Sequence, residues 1–599
     1  MIELANVTTL DFETLPILPR PAPAPEPVGL AIRWPGGMTE YLSWGHPNGT
    51  NNSTKDEAYN ALCKAWRGPC VFHNAKFDLE VAWTHFGLQY PRDWHDTMFL
   101  AFLDCPHAAS FALKATAERV LSIPPSAKDV LHEWIIANVP GATKRNAGAF
   151  IAQAPVSLVE PYAKSDATMT FKLFAHLYPK IIAANMGKAY DRERRLMPWL
   201  LDAEVRGVPV DRELLNKWDR LFDRGIPIVE QQLRQRLGVT TLNFDEDRAV
   251  ADAIGAAGLV TNWEMTASGQ RATNKKAMAR QCNDKEFLRL LSLRNTASTM
   301  HNSHVLPWLA ASATDGRLHT QWNQTRSIDN TGTKTGRVGS ERPNLANVPN
   351  ASTNHPELPN LRLAFLPEEG HTWGKADFSQ QEFRIAAHYE DGAIMHTYKS
   401  EPTTDFHEVT STLVRMHTGL MLPRKNIKNV NFCLLYGGSI PRLSEVLGVS
   451  LQEAADVKDA YYRALPGMAR LSQMVQMGSA SRGGITTLGG RFMPVEPPKL
   501  DPKTGSLQTF LYKQLNKLVQ GSAADMTKEA IIKFGEAGTP AKLTITVYDE
   551  INISVPAIQI LGVLKVLDEC MVNALPLDVP MRTDLSQGES WGDLEEVTL

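Results

Sequence analysis

Two strand-like segments with acids near their tips, HTWGKADFS (371–379) and LTITVYDEINISV (543–555), are separated by a helix-rich stretch from about 392 to 535. Residues at the two tips can meet only if the chain leaves a sheet, builds a helical unit and returns. At 599 residues and 43% hydrophobic, the chain can bury several cores, roughly three to five units of about 150 residues each.

Near the N-terminus the β-rich runs LANVTTLDF, VGLAIRW and GPCVFHN alternate with helical stretches such as AKFDLEVAWTHFG, the pattern of a mixed α/β domain. PILPRPAPAPEP between the first two strands reads as a surface loop, because proline cannot sit in a central strand. Residues 185–315 read as largely helical, and strands return from Gly316 onward.

A formal charge of −3 excludes a chain that attracts nucleic acid over its whole surface, so any such contact must be local. One local candidate is 261–301, where Arg271, Lys275, Lys276, Arg280, Lys285, Arg289 and Arg294 outnumber Glu264, Asp284 and Glu286. The six cysteines are scattered without CxxC spacing, which argues against a zinc site or a disulfide framework. No apolar run approaches a membrane span, and MIELANVTTLDFET lacks a leader, so a soluble intracellular protein is expected.

Three C-terminal clusters share one chemical logic. Asp377 opens DFSQQEFR where a strand turns into a helix, and Asp549 and Glu550 stand in VYDE at a hairpin tip. Phosphoryl transfer from a nucleotide needs two carboxylates from distant segments to hold Mg²⁺ ions about 4 Å apart. Asp377 and Asp549 fit that need; on a regular strand Glu550 would face the opposite side from Asp549 and is secondary, unless the turn rotates both inward. Between them, Arg424, Lys428, Phe432 and Tyr436 recur every four residues along one helix face, with cations suited to a triphosphate and rings suited to a base.

These clusters resemble motifs A, B and C of the family A DNA polymerases. Thr335, Gly336, Arg337, Pro343, Asn344, Leu345, Asn347 and Pro349 resemble the family segment TGR…PNLQNIP. Arg362, the pair Asp405 and His407, and Asn516, Gln520 and Gly521 extend the similarity over about 190–599. The resemblance implies that Asp377 and Asp549 bind two Mg²⁺ ions, with Mn²⁺ as an alternative, and that Lys428, Arg424 and His407 contact the triphosphate. It implies further that Phe432 stacks on the incoming base, Tyr436 closes that pocket, and Glu382 excludes a 2′-hydroxyl. Arg337, Arg362, Asn516 and Gln520 would touch the duplex. Departures are Phe378, Gln381, Gly339, Ala346 and Tyr548, the last standing where the family usually has His and able to donate toward a primer phosphate.

In the N-terminal region Asp11 and Glu13 lie at i and i+2 on a strand and so face one side. Asp78 comes next in NAKFD, and Tyr162 and Asp166 sit one helical turn apart in YAKSD. Order and spacing resemble the tyrosine-type DEDD exonucleases over about 1–180. That implies two divalent ions on Asp11, Glu13, Asp78 and Asp166, a water oriented by Tyr162, and an active nuclease.

Together the resemblances imply a multidomain α/β and α+β chain. An RNase H-like exonuclease domain (1–185) precedes a helical thumb (186–315), palm (316–391), fingers (392–495) and second palm segment (496–599). The basic run then falls on the thumb, and nothing before the exonuclease would house a 5′ nuclease. The expected activity is template-directed DNA synthesis from dNTPs on primer-template DNA with 3′→5′ proofreading, by a monomer in a bacterial or phage-infected cytoplasm. The rival readings are a single-subunit RNA polymerase, opposed by Glu382 and the exonuclease half, and a catalytically silent primer-template-binding replisome protein, opposed by the retained acids.

Overall fold

The computed structural model describes residues 2–599 apart from 48–49, 125–128, 267, 326–331, 420, 423 and 502–504. Its N-terminal unit is a five-stranded sheet in the order β3-β2-β1-β4-β5. The strands are β1 (Thr8–Thr14), β2 (Pro27–Arg33), β3 (Thr39–Ser43), β4 (Cys70–Phe72) and β5 (Trp94–Asp96). β1 is central, antiparallel to β2 and parallel to β4. With both faces covered it reads as a near-continuous buried run rather than an alternation. Pro27 opens β2 opposite Thr14, where a missing N–H costs no interior ladder bond, and residues 15–26 stay off the sheet.

Three helices of this unit bring charged side chains toward β1: α1 (Ala75–Phe86), α2 (Leu113–Leu121) and α3 (Val156–Ala183). α3 packs across β1 and β2. Next comes α4 (Gly187–Arg206), then α5 (Arg212–Leu237), which is capped by the Asp211 carboxylate accepting from Leu214 N–H at 2.9 Å. α5 packs along α7 (Lys285–Met300), with α6 (Lys275–Gln281) beside it. Leu233, Leu237, Val250, Ile254, Phe287 and Leu290 give the tip of this arm a core of its own.

The basic run lies on this arm, but it is largely neutralised. Arg271, Lys276, Arg280, Arg289 and Arg294 pair with Asp252, Glu445, Glu264, Glu286 and Glu230. The run therefore offers less net positive potential than its composition suggests.

A second five-stranded sheet is antiparallel and centred on β6 (His371–Phe378). From it the chain enters α8 (Gln381–Glu390) and a helical excursion containing α9 (Phe406–Thr418), α10 (Arg424–Leu435) and α11 (Ile440–Leu447). It returns through the buried helix α12 (Gln514–Glu536) to β7 (Lys542–Val547), β8 (Glu550–Pro556), β9 (Thr583–Ser590) and β10 (Asp593–Val597). β6 lies between β8 and β9, which pairs Asp377 with Glu550 on one side and Asp584 on the other.

Buried charges join the two halves. Lys528 on α12 meets Glu193 on α4 at 2.5 Å. Lys76 on α1 reaches Glu204 on α4 at 2.6 Å and the Trp322 carbonyl at 2.9 Å, while Glu204 also accepts from Trp322 N–H at 2.5 Å. The side chains of Lys76 and Glu204 are only 19% and 6% exposed, so removing one charge strands the other. Lys76→Met is expected to lower stability by about 3 kcal/mol, read as an earlier urea midpoint for the N-terminal unit. An unchanged midpoint would show that the pair does not hold the halves together.

Candidate active sites

A two-residue turn, Tyr548–Asp549, joins β7 to β8, and Tyr548 takes a left-handed φ of 57°. A non-glycine residue held there costs on the order of 1–3 kcal/mol and marks a turn fixed by its surroundings. Here the end of β6 does the fixing. Phe378 N–H donates to the Asp549 carbonyl at 3.2 Å, tying the hairpin tip to β6 directly beside Asp377.

Burial pushes the Asp377 carboxyl up to about 7, and the nearby Asp549 and Glu550 charges add to the rise. Burial also raises Asp549, while Arg337 and Lys428 pull it down. Glu550 is diverted. Its Oε1 accepts from Asn552 Nδ2 at 2.7 Å and from the Trp591 indole at 2.8 Å, and Oε2 lies 3.8 Å from both Arg362 and Lys375. Asp377 and Asp549 are each half-buried, whereas Glu550 is buried.

Glu382, in the first turn of α8, is buried and ion-paired to Arg337. Burial carries its carboxyl up to about 7 against the pull of Arg337, with Asp549 raising it further. The Arg337 guanidinium also lies 4.7 Å from the Tyr548 ring centre, and the Tyr548 hydroxyl donates to Asn347 Oδ1 at 3.2 Å.

On α10, Lys428 is exposed with its ammonium 5.9 Å from the Phe432 ring, and Phe432 stacks on Tyr436 at 5.8 Å. Arg424 begins that helix, but its side chain lies outside the described residues. His407 is held from one side of its ring. It is 4% exposed, bonded through Nδ1 to Asn431 at 2.7 Å and packed between Phe383 and Phe432.

Arg362 likewise packs inside, 4.1 Å from the Trp591 ring and 3.3 Å from the Val348 carbonyl. Burial lowers its guanidinium pKa, and the charges of Glu550 and Asp377 oppose that. On α12, Asn516 and Gln520 are half-buried one turn apart, and Asn516 Oδ1 has no hydrogen-bond partner among the described residues. Gln381, where the family pattern has Ile, ties α8 to α12 through the Ala523 carbonyl and Thr527 hydroxyl, both at 3.3 Å.

The N-terminal sheet gathers a second set of acids. Asp78 on α1 accepts from Phe12 N–H at 3.0 Å, docking it between Asp11 and Glu13. Burial pushes Asp11 up to about 6 and Glu13 and Asp78 well above the usual carboxylate range. Asp11 and Asp78 raise Glu13 further, and Asp11 raises Asp78. On α3, the Tyr162 hydroxyl is raised by burial and then by the charges of Glu13 and Asp11. Asp166, buried one turn on, is ion-paired to Lys114 of α2.

Sequence reasoning missed three supporting residues here. Asp96 caps the helix after β5 and accepts from Asn74 and Ala75 N–H at 3.1 and 2.9 Å, fixing the turn that launches α1. Tyr41 lies over Gly29, the residue paired with Glu13, where any side chain would collide with its hydroxyl. Lys114 stands among the acids themselves. An Asp before a helix start is a readable signal for the first; the other two carry none.

Both sets are all-carboxylate, with Asp377, Asp549, Asp11, Glu13 and Asp78 pushed toward protonation chiefly by burial. That chemistry fits hard divalent cations such as Mg²⁺ or Mn²⁺. Among the described residues, the one trio of His, Cys or acidic ligand atoms all within 4.8 Å of one another is elsewhere. It comprises Asp219, Asp223 and His301, where His301 Nε2 and Asp219 form a 2.8 Å hydrogen bond.

Among known proteins, the model for DNA polymerase family A matches residues 212–593 and that for a 3′-5′ exonuclease matches 49–182. The latter takes in Asp78, Tyr162 and Asp166 but starts beyond Asp11 and Glu13, which the geometry alone adds. The chain is 29% identical over 436 residues to a thermostable DNA polymerase I of Thermus filiformis, covering 72% of this chain and 51% of that protein. It is 24% identical over 601 residues to DNA polymerase DpoZ of Acinetobacter phage SH-Ab 15497, covering 93% and 92%. A solved structure, the POL domain of Pol1 from M. smegmatis in complex with DNA primer-template and dNTP, superposes with a TM-score of 0.77 at 23% identity over 98% of this chain and 95% of that one. That likeness establishes the fold. The chain spans about half the length of the bacterial relatives it matches, and no helix among the described residues is long and apolar enough to cross a membrane.

The raised Asp377 carboxyl sets a pH dependence. Its folded-state value near 7, against 3.8 ordinarily, means the metal-free fold keeps a proton there that the unfolded chain has lost. The stability this contributes is full below about pH 4 and lost as pH rises through about 7. In EDTA, wild type should therefore lose stability relative to Asp377→Asn between pH 5 and 8. A difference in unfolding midpoint that stays flat across that range contradicts the placement of Asp377.

Proposed function

The chain belongs to DNA polymerase family A, and from that premise we propose that it extends a primer 3′ end on a DNA template using dNTPs and trims that end with its N-terminal nuclease. The observation that best supports the synthetic half is the bond from Phe378 N–H to the Asp549 carbonyl, which ties the hairpin tip carrying Asp549 to the end of β6 beside Asp377. Held by Asp377 and Asp549, and separately by Asp11, Glu13, Asp78 and Asp166, paired Mg²⁺ ions would activate the attacking oxygen and neutralise the leaving one.

The chain's own residues set the rest. Lys428, exposed on α10 above Phe432 and one turn from it, is placed to take the triphosphate charge and to give a proton to the leaving group. Phe432 and Tyr436 offer stacked rings to the incoming base. Glu382 is buried in the first turn of α8 and ion-paired to Arg337. A 2′-hydroxyl would meet its carboxylate, so ribonucleotides are rejected by a clash rather than by a missing bond. This is the feature that favours DNA over RNA synthesis.

At the nuclease site Tyr162 is placed to orient the attacking water toward a phosphate beside Asp166. Each half needs its own acids, so the two activities should separate by mutation. The origins of the relatives support a phage or bacterial cytoplasm as the setting.

Mg²⁺-dependent extension of a labelled primer, run with and without dNTPs, tests both halves. Asp377→Ala should cut extension by on the order of 10²–10³-fold or more, the scale of losing one preorganised electrostatic contact, and leave trimming intact. Asp11→Ala with Glu13→Ala should do the reverse. Trimming that survives the double change, or extension that survives Asp377→Ala, contradicts the assignment. In the same assay Glu382→Ala should raise rNTP incorporation relative to dNTP by at least about tenfold, the order of removing one designed clash. An unchanged ratio would put sugar selection elsewhere.

A further inference from the structure

Lys114 is the second residue of α2, in the turn where a helix dipole disfavours positive charge. A lysine there gains nothing from the helix, and its side chain, 13% exposed, does not run to solvent. It is directed into the acids instead. Its ammonium is ion-paired to Asp166 and stands 4.5 Å from the Tyr162 ring centre. Its charge is also felt at Asp11 and Glu13, on the opposite wall of the site. Three elements, β1, α2 and α3, therefore share this cation.

We infer that Lys114 is a positioning residue of the nuclease site: its ammonium holds Asp166 and offsets the charge of Asp11 and Glu13, and it gives up Asp166 when a divalent cation binds. The inference rests on the reading of these acids as a metal site. Its physical basis is that several partly buried carboxylates repel one another, so a cluster that must be in place before its cations arrive needs a counter-charge. A tethered ammonium supplies one, yet it can withdraw along its flexible stem, which a fixed guanidinium fork or a backbone donor could not do as readily. The consequence is competition. Lys114 keeps the cage assembled while lowering its apparent affinity for the ions it is built to take.

The test is Mn²⁺ binding by the full chain, followed by electron paramagnetic resonance of the free ion. It is done in a background carrying Asp377→Asn and Asp549→Asn, which removes the polymerase acids, and the nuclease share is the binding lost on adding Asp11→Ala and Glu13→Ala. Lys114→Met should bind Mn²⁺ about tenfold more tightly than the Lys114 parent, the scale of removing one competing charge. It should also unfold at a lower temperature in EDTA and regain more on adding Mn²⁺. Lys114→Arg, which keeps the charge on a fork that withdraws less readily, should bind Mn²⁺ no more tightly than the parent. Should the Met variant fail to fold, Lys114→Gln takes its place with the same expectation.

Equal or weaker Mn²⁺ binding in a folded Met or Gln variant overturns the inference. Failure of the underlying reading looks different: Asp11→Ala with Glu13→Ala would then leave Mn²⁺ binding untouched, whatever residue 114 is.

Discussion

Gathering carboxylates against their mutual repulsion is the constraint on which this molecule is organised. Each site takes acids from segments far apart in sequence and buries them in part or in full. Burial and like charge then drive Asp377 to about 7, and burial carries Asp11 to about 6. An arrangement of that kind does not stabilise a fold by itself. It has to be imposed by structure formed for other reasons, and here that structure is two five-stranded sheets whose central strands, β1 and β6, end at the acids.

The means of imposing it are local and backbone-based. Asp78 is docked by the Phe12 N–H, and Asp549 is placed by the bond from Phe378 N–H to its carbonyl. Neither depends on the charge of the acid it positions at the other site, so the two cages can be built independently. What links them is the belt of buried ion pairs along α4. Lys76 is two residues before Asp78, so the helix that brings an acid to the nuclease is the same helix that is fixed to the polymerase half. The orientation of one site relative to the other is thereby part of the packing.

Much of this is legible in the sequence, and for identifiable reasons. Acids at strand ends, a DxE pair on one strand and four residues at helical spacing are patterns set by backbone periodicity, which the sequence carries directly. The same periodicity separates Asp549 from Glu550, but not what Glu550 does once turned away: Trp591, 41 residues on, supplies the indole that holds it. The basic run is visible as composition, yet its neutralisation by Asp252, Glu445 and Glu230 comes from tertiary pairing. His407 is bonded through one ring nitrogen to Asn431 on another helix, a tertiary contact that spacing alone does not announce. Lys114 is invisible for the same reason, since a lysine near a helix start looks like any solvated side chain until the fold puts acids around it.

Synthesis by this chain depends on Asp377 and Asp549 together holding cations in one cleft. Anomalous diffraction from crystals grown with primer-template DNA, a dNTP and Mn²⁺ measures that directly. Two peaks about 4 Å apart are predicted, with at least one ion touching oxygens of both residues. A cleft in which no ion contacts both Asp377 and Asp549 would contradict it.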